Sequence, residues 1–284
     1  MKVGAHVSGH GDLANRFDHA VELGAEAIQI FGAPPQTWNR RKIRPEECDG
    51  FRARMKETGI EPVFIHGVYL INLATEKPDQ LEKSKAALRG DLDLASAIGA
   101  RGVIFHVGSH KGAGFQKVLP QIARALSDVL AETPDDAWIV LENNAGQGGG
   151  VGSKFEELGA IMAKVKSPRL KVCLDTQHAY ASGYDLANAD GVEKAMQEFE
   201  REVGVENLVA VHANDSKIEL GKGVDRHENI GKGHIGRKGF EAIMAHKAFQ
   251  NVPFLLEVPG EGEGPDKPNV DLLKRIRKKA GGDP

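Results

Sequence analysis

His212, Asp225 and His227 put two imidazoles and a carboxylate within sixteen residues, inside a Gly-rich segment that cannot be a helix. Asp225-x-His227 offers an oxygen and a nitrogen from one short extended piece, and His212 ends an apolar run. Imidazole together with carboxylate suits zinc or its first-row neighbours. Such a triplet makes a metal site only if donors from elsewhere in the chain converge on it.

The elements that would bring those donors together are legible. Short apolar or β-branched runs alternate with helix-length amphipathic stretches. The expected strands are Val3–Val7, Ala27–Phe31, Pro62–His66, Gly102–His106, Trp138–Glu142, Lys171–Asp175, Leu208–His212 and Pro253–Glu257. Helical patterns between them include Leu13–Leu23, Leu81–Ile98, Gln116–Ala131, Phe155–Lys164, Val192–Glu202 and Phe240–Ala245. With no Pro/Gly-rich linker between halves, residues 1–284 are expected to form an α/β, single-domain (β/α)8 TIM barrel. A doubly wound sheet would need a Gly-rich phosphate turn after an early strand, and Gly9-His10-Gly11 is a poor match.

Positions two apart in a strand share a face. In the third to eighth expected strands an apolar or small residue is followed, two positions on, by a metal-ligand type. The pairs are Phe64/His66, Ile104/His106, Val140/Glu142, Cys173/Asp175, Ala210/His212 and Leu255/Glu257. The second member of each pair falls at the carboxyl end of the barrel, where such folds carry their chemistry. A single strand-end histidine is more often a hydrogen-bonded core residue than a ligand. Six donors on one rim would be mutually repulsive or unsatisfied without cations.

His178 adds an imidazole one turn after Asp175, and the loop after the seventh strand adds Asp225 and His227. The candidate set is then His66, His106, Glu142, Asp175, His178, His212, Asp225, His227 and Glu257. Nine donors exceed the needs of one ion and fit three best, with Glu142 central enough to bridge. Nitrogen-rich ligation favours zinc, with manganese or iron possible at one position. Three divalent ions against four carboxylates leave a site of about +2, which suits a phosphodiester, and clustered ions bring bound water toward a pKa of about 7.

The bulk numbers describe an ordinary soluble protein: 284 residues, 40% hydrophobic, 27% charged, net charge −3. Global charge therefore gives no nucleic-acid signature, and any DNA binding must come from local side chains or bound metal. Cys48 and Cys173 are no disulfide framework, and Cys173 reads as a buried thiol. Without a signal peptide or an apolar run of membrane length, a cytoplasmic protein that meets no membrane is expected. The basic run Lys274–Lys279 reads as a solvated helix end.

The chain resembles the endonuclease IV family of abasic-site DNA-repair nucleases over nearly its whole length. The resemblance rests on Val3-Gly4-Ala5-His6-Val7-Ser8, His66-Gly67-Val68-Tyr69-Leu70-Ile71-Asn72-Leu73 and Phe105-His106-Val107-Gly108-Ser109-His110. It continues through Leu141–Gly148, Cys173–Ala179, Asn214-Asp215-Ser216-Lys217, Asp225–Gly236 and Leu256-Glu257-Val258-Pro259-Gly260. It implies a (β/α)8 barrel holding three zinc ions on the nine positions above, and hydrolysis 5′ to an abasic site that leaves a 3′-hydroxyl and a 5′-deoxyribose phosphate. Carried over, Glu142 bridges two ions and orients the attacking hydroxide. His66 and His106 complete one ion; Asp175, His212 and Glu257 the second; His178, Asp225 and His227 the third.

The same resemblance implies a partner, double-stranded DNA containing an abasic site, and contacts from Tyr69 and the Gln36 position; Arg226, near the expected mouth of the barrel, could reach DNA phosphates. One departure stands out. The family's probe loop carries Lys, Arg and Trp; here Trp38 is kept but Gln36 occupies the Arg position, with Arg40, Arg41 or Lys42 as stand-ins. His110, His234, Lys217 and Lys232 are candidate ligand supports or phosphate contacts, and His6 could support a ligand or touch substrate. His10, His19 and His246 are assigned no role. A monomer is the simpler expectation for a chain that must enclose bent duplex. Two rivals are a sugar isomerase or epimerase on the same barrel, with fewer ions and more oxygen ligands, and a non-catalytic DNA-damage binder.

Overall fold

The computed structural model describes residues 1–9 and 11–282, so His10 lies outside the described residues. Eight strands close into a parallel barrel: β1 Val3–His6, β2 Ile28–Phe31, β3 Val63–His66, β4 Gly102–His106, β5 Trp138–Glu142, β6 Leu170–Asp175, β7 Leu208–His212 and β10 Phe254–Leu256. Closure comes from β1, which pairs with β2 on one side and β10 on the other. A separate two-stranded ribbon, β8 Asp215–Ser216 with β9 His227–Glu228, rises from the loop after β7. Among the described residues, no helix is long and apolar enough to cross a membrane.

The helices packed around the barrel are α1 Arg16–Leu23, α2 Pro45–Thr58, α3 Pro78–Ile98, α4 Phe115–Ala131, α5 Phe155–Val165, α6 Thr176–Ala181, α7 Ala189–Glu202, α8 Gly236–Ala245 and α9 Lys267–Lys279. α2 and α3 each open on proline and stop at a left-handed glycine, Gly59 and Gly99. Proline is pre-set for the first turn, and glycine alone takes the terminal conformation without strain. α2 lies where no helical pattern was expected, because it is strongly charged and buries only Glu47, Cys48 and Phe51.

Strand alternation sorts the apolar residues into two cores. Ile28, Ile30, Val63, Ile65, Val103, Phe105, Ile139, Leu141, Val172, Leu174, Val211, Phe254 and Leu256 face the helices. Inside the barrel sits a separate plug of Ala27, Phe64, Ile104, Val140, Cys173, Ala210 and Leu255. All six apolar partners expected from the pairings are in that plug, and Ala27 adds a seventh. β1 contributes Gly4, where a Cβ would lie 1.8 Å from the Ala27 carbonyl oxygen, so no side chain fits. The plug closes the barrel's interior and forms a floor under whatever stands one pleat above it.

Two expectations need correction. The eighth barrel strand ends at Leu256, and Glu257 follows it as the first residue of the connecting loop. The basic C-terminal run is only partly a solvated helix end. Arg277 is buried, donating to the Met1 carbonyl and both oxygens of Glu26, because α9 folds back over the start of β1. Cys48 and Cys173 are both free and buried.

Candidate metal centre

One pleat above the floor, seven of the eight barrel strands present a polar side chain, and the eighth is followed by one. β3 to β7 offer His66, His106, Glu142, Asp175 and His212, and Glu257 follows β10. β1 and β2, which had no ligand assigned, contribute His6 and Gln29. Gln29, His66, Glu142, Asp175 and His212 are buried, with essentially no exposed surface. The ligand types therefore stand on a rigid parallel sheet, and their spacing is set by strand register: His106 lies beside Glu142, and Asp175 beside His212.

Glu142 is the hub. Its Oε2 lies 3.2 Å from His66 Nε2 and 3.6 Å from His106 Nε2. Its Oε1 lies 2.9 Å from His212 Nδ1 and 3.4 Å from His178 Nδ1. Burial by itself would raise this carboxyl, yet the imidazoles of His106, His212 and His178 outweigh burial and hold it well below the usual carboxylate range.

The remaining donors come from outside the strands. Asp175 ends β6 and caps α6, accepting from the His178 backbone N–H at 2.8 Å. That cap fixes the first turn of α6 and so aims the His178 ring back over the barrel. Asp225 and His227 arrive on the loop and ribbon after β7. Asp225 Oδ2 is 3.3 Å from His178 Nε2, and its Oδ1 is 3.4 Å from His227 Nε2. Burial pulls Asp225 up, but the His178 contact outweighs it and brings the carboxyl down to about 2. For His178 burial works downward, and Asp175, Asp225 and Glu142 outweigh it, pushing the imidazole well up.

Three histidines spend one nitrogen on a backbone carbonyl. His66 Nδ1 donates to Gly67 O at 2.7 Å, His178 Nδ1 to Asn143 O at 3.0 Å and His227 Nδ1 to Glu257 O at 3.3 Å. A carbonyl only accepts, so the proton sits on Nδ1 and Nε2 is left as a lone-pair donor. His106 Nδ1, His178 Nε2 and His227 Nε2 are buried without a well-aligned hydrogen bond among the described residues, although Asp225 oxygens lie 3.3 and 3.4 Å from the last two. Buried orphan nitrogens are costly, and here they belong to rings that face one another, with centroids 5.3 and 5.5 Å apart. A cation held by the group that joins His178 and His227 would satisfy both of their Nε2 atoms.

Among the described residues, donor atoms within 4.8 Å of one another form three groups. They are His66, His106 and Glu142; Glu142, Asp175, His212 and Glu257; and Asp175, His178 and His227. The third group takes Asp175 where the resemblance implies Asp225, although Asp225 touches both of its imidazoles. The donor chemistry fits divalent transition metal: mixed nitrogen and oxygen, buried, with shared carboxylates.

The rim residues fare differently. Tyr69 is 58% exposed, its ring 5.8 Å from His66 and 5.4 Å from Phe31. Its backbone N–H holds Pro35 O at 2.9 Å, so the loop bearing Gln36 and Trp38 leans on it. Gln36 and Arg226 are exposed, and Arg226 donates to the Asp225 carbonyl. Of the stand-ins for the absent arginine, Arg40 is committed to buried Asp91 at 2.6 Å and Arg41 to Glu47 at 2.6 Å, while Lys42 is exposed. Arg40 and Arg41 border a cleft of about 1140 Å³ that opens beside His6. His110 accepts from the Gly112 and Gly114 amides and shapes its own loop. His234, Lys217 and Lys232 are exposed. His19 is half-buried against the Ser8 carbonyl, and His246 caps a short 3-10 turn.

Gln29 was not picked out from the sequence, and Asn143 and Asn214 appeared there only within longer motifs, with no role of their own. Asn143 pairs with the backbone of Asp175 in both directions, and Asn214 spans Asp175 Oδ2 at 2.7 Å and the Glu257 backbone N–H at 2.9 Å. Their signal was available in position alone: Gln29 occupies the same pleat as the ligands, and Asn143 and Asn214 follow ligand-bearing strands.

Comparison with known proteins gives one consistent picture. A family model described as xylose isomerase-like TIM barrel matches residues 17–279. The chain is similar to the probable endonuclease 4 of Haloarcula marismortui, 37% identical over 98% of this chain and 99% of that protein. It is similar to the probable endonuclease 4 of Aquifex aeolicus, 38% identical over 96% of each. The crystal structure of endonuclease IV from Thermus thermophilus superposes with a TM-score of 0.85 at 33% identity, covering 99% of this chain and 98% of that one.

Proposed function

The chain belongs to the endonuclease IV family of xylose isomerase-like TIM barrels, and from that premise we propose that it is a metal-dependent endonuclease cutting the DNA phosphodiester 5′ to an abasic site. The observation that carries the reading is Glu142, one buried carboxylate facing four imidazoles and shared by two donor groups. Three zinc ions are the proposed complement, with manganese or iron able to replace zinc at one position. His66, His106 and Glu142 would hold the first, Glu142, Asp175, His212 and Glu257 the second, and His178, Asp225 and His227 the third.

Bound there, such ions polarise a phosphoryl oxygen and lower the pKa of water at neutral pH. The protein's own part is positional. Glu142 keeps its carboxylate ionised beside the imidazoles, so it can accept and orient a proton of the attacking water. Tyr69 offers an exposed aromatic edge above the centre, where it can meet the sugar or the gap left by a missing base. Gln36 and Arg226 stand at the rim, within reach of backbone phosphates, which fix register without reading sequence. The products would be a 3′-hydroxyl and a 5′-deoxyribose phosphate. The substrate is proposed to be double-stranded DNA, the protein a monomer, and its compartment the cytoplasm. Sugar isomerisation on the same barrel leaves the pairing of Asp225 with His178 and His227 without a task.

The test is a duplex carrying one tetrahydrofuran abasic analogue, incubated with zinc-loaded protein. A nick 5′ to the analogue with a polymerase-extendable 3′ end is expected, with the undamaged duplex left whole. No nicking with either zinc or manganese would overturn the assignment.

A further inference from the structure

Gln29 is fully buried at the centre of β2, in the same pleat as the ligands, yet an amide is a poor choice for a metal. Its hydrogen bonds explain its presence. Oε1 lies 2.8 Å from His212 Nε2, and Nε2 lies 2.7 Å from Glu257 Oε1 and 3.0 Å from His6 Nδ1. Both amide hydrogens and one lone pair are therefore used.

The amide has one chemically sensible orientation. Turned over, its oxygen would face the Glu257 carboxylate, acceptor against acceptor, and its NH2 would face the His212 nitrogen. As it stands, Nε2 donates to Glu257 and Oε1 can only accept, so His212 must donate from Nε2. The proton of neutral His212 is thereby assigned to Nε2. Nδ1, which faces Glu142 Oε1 at 2.9 Å and Glu257 Oε2 at 3.2 Å, is left as the lone-pair donor. His212 is thus the reverse of His66, His178 and His227, whose Nδ1 atoms are spent on carbonyls.

We propose that Gln29 is a positioning residue: its amide selects the His212 tautomer and aims Glu257, so that both converge with Glu142 and Asp175 on one divalent metal. His6 completes the arrangement. Its ring packs 4.3 Å from Phe31, and its Nδ1 receives the second amide hydrogen, which stops the amide from rotating. The inference rests on reading the Glu142–Asp175–His212–Glu257 group as a metal site and does not depend on the identity of the substrate.

The experiment uses the full chain loaded with cobalt(II) as a spectroscopic probe and with zinc(II). In zinc-loaded wild type, long-range 1H–15N NMR of the histidine side chains is expected to show His212 protonated at Nε2; a proton on Nδ1 overturns the proposal without any variant. Gln29→Leu removes donor and acceptor at similar volume. It is expected to weaken one cobalt ion per chain by roughly 10- to 100-fold, the usual penalty for losing a group that orients a ligand, and to change its d–d absorption. Gln29→Glu keeps an acceptor for His212 but opposes Glu257, and is expected to lose affinity as well. Wild-type affinity and an unchanged spectrum in both folded variants overturn the proposal. Gln29-dependent metal binding in a protein that leaves abasic duplex uncut would sink the proposed activity and leave this role standing.

Discussion

The two halves of the metal centre are built by different means. In the barrel half, His66, Glu142, Asp175 and His212 sit on strands whose register sets their spacing, above an apolar floor, with Gln29, Asn143 and Asn214 saturating the atoms left over. In the loop half, Asp225 and His227 arrive on a two-residue ribbon and a connection with little regular structure. Asp225 keeps 50% of its side chain exposed, against none for Glu142. Sheet geometry makes a pre-organised site, whereas a loop needs its own anchor. That anchor is Asp215. Its buried carboxylate accepts the backbone N–H groups of Ser216, Gly231, Gly233, Ile235 and Gly236. Gly233 must be glycine to let it in, since a Cβ there would lie 2.5 Å from Asp215 Oδ1.

If the barrel half does the chemistry, Glu142→Gln should have the largest effect of any single change. It keeps the shape and removes the charge shared by two donor groups. Abasic-duplex nicking should fall by at least roughly 10²–10⁴-fold, the range of a positioned acid or base, with binding of the duplex retained in a gel-shift assay. Unchanged nicking would break the comparison outright, because the hub would then be ornamental.

Asp215→Ala should separate the halves. Several amides lose a buried acceptor at once, so a stability loss of about 2–4 kcal/mol is expected from denaturant melts. Proteolysis should accelerate within residues 217–236 while the rest of the barrel stays resistant. Uniform proteolysis would mean that the loop is no separate unit.

The same division explains what the sequence could reveal. Strand alternation exposed six donors and six floor residues, because period two in a buried sheet leaves few other readings. Gln29 escaped notice because glutamine is not a ligand type and its partners lie 183 and 228 positions away. Asp215 was visible only as part of a motif, since its partners are backbone amides and leave no side-chain signature. α2 was missed because its inner face is only three residues wide. Arg277 was read as solvated because nothing in a basic run marks which residue turns inward to meet a carboxylate 251 positions away.

A chelator titration sharpens the comparison further. Exposed Asp225 should let the ion proposed to lie between it, His178 and His227 leave before the other proposed ions, so stepwise release of one ion per chain is expected on dialysis against increasing chelator. Asp225→Asn should weaken that ion by roughly 10- to 100-fold and leave the barrel ions in place. Release of every ion in one step would show that the two halves bind as one.

The smallest effect belongs to a pair outside both halves. Glu26 precedes β2 at the amino end of the barrel, where it accepts from Arg277 and from the Val3 backbone N–H at 2.8 Å. Burial would raise its carboxyl, but the hydrogen bonds from Arg277 and Val3 outweigh burial and lower it. A carboxylate with a depressed folded pKa contributes stability that is present above its unfolded pKa and lost as pH falls through the folded one. Glu26→Gln should therefore cost about 1–2 kcal/mol at neutral pH, the scale of a charge-assisted hydrogen bond. The gap from wild type should close as pH drops below the usual carboxylate range. Because α9 and the start of β1 lie across the barrel from the metal centre, metal affinity and nicking of the folded variant should be unchanged. A metal loss in Glu26→Gln would mean that the rim is set by the whole barrel rather than by the pleat that carries the donors.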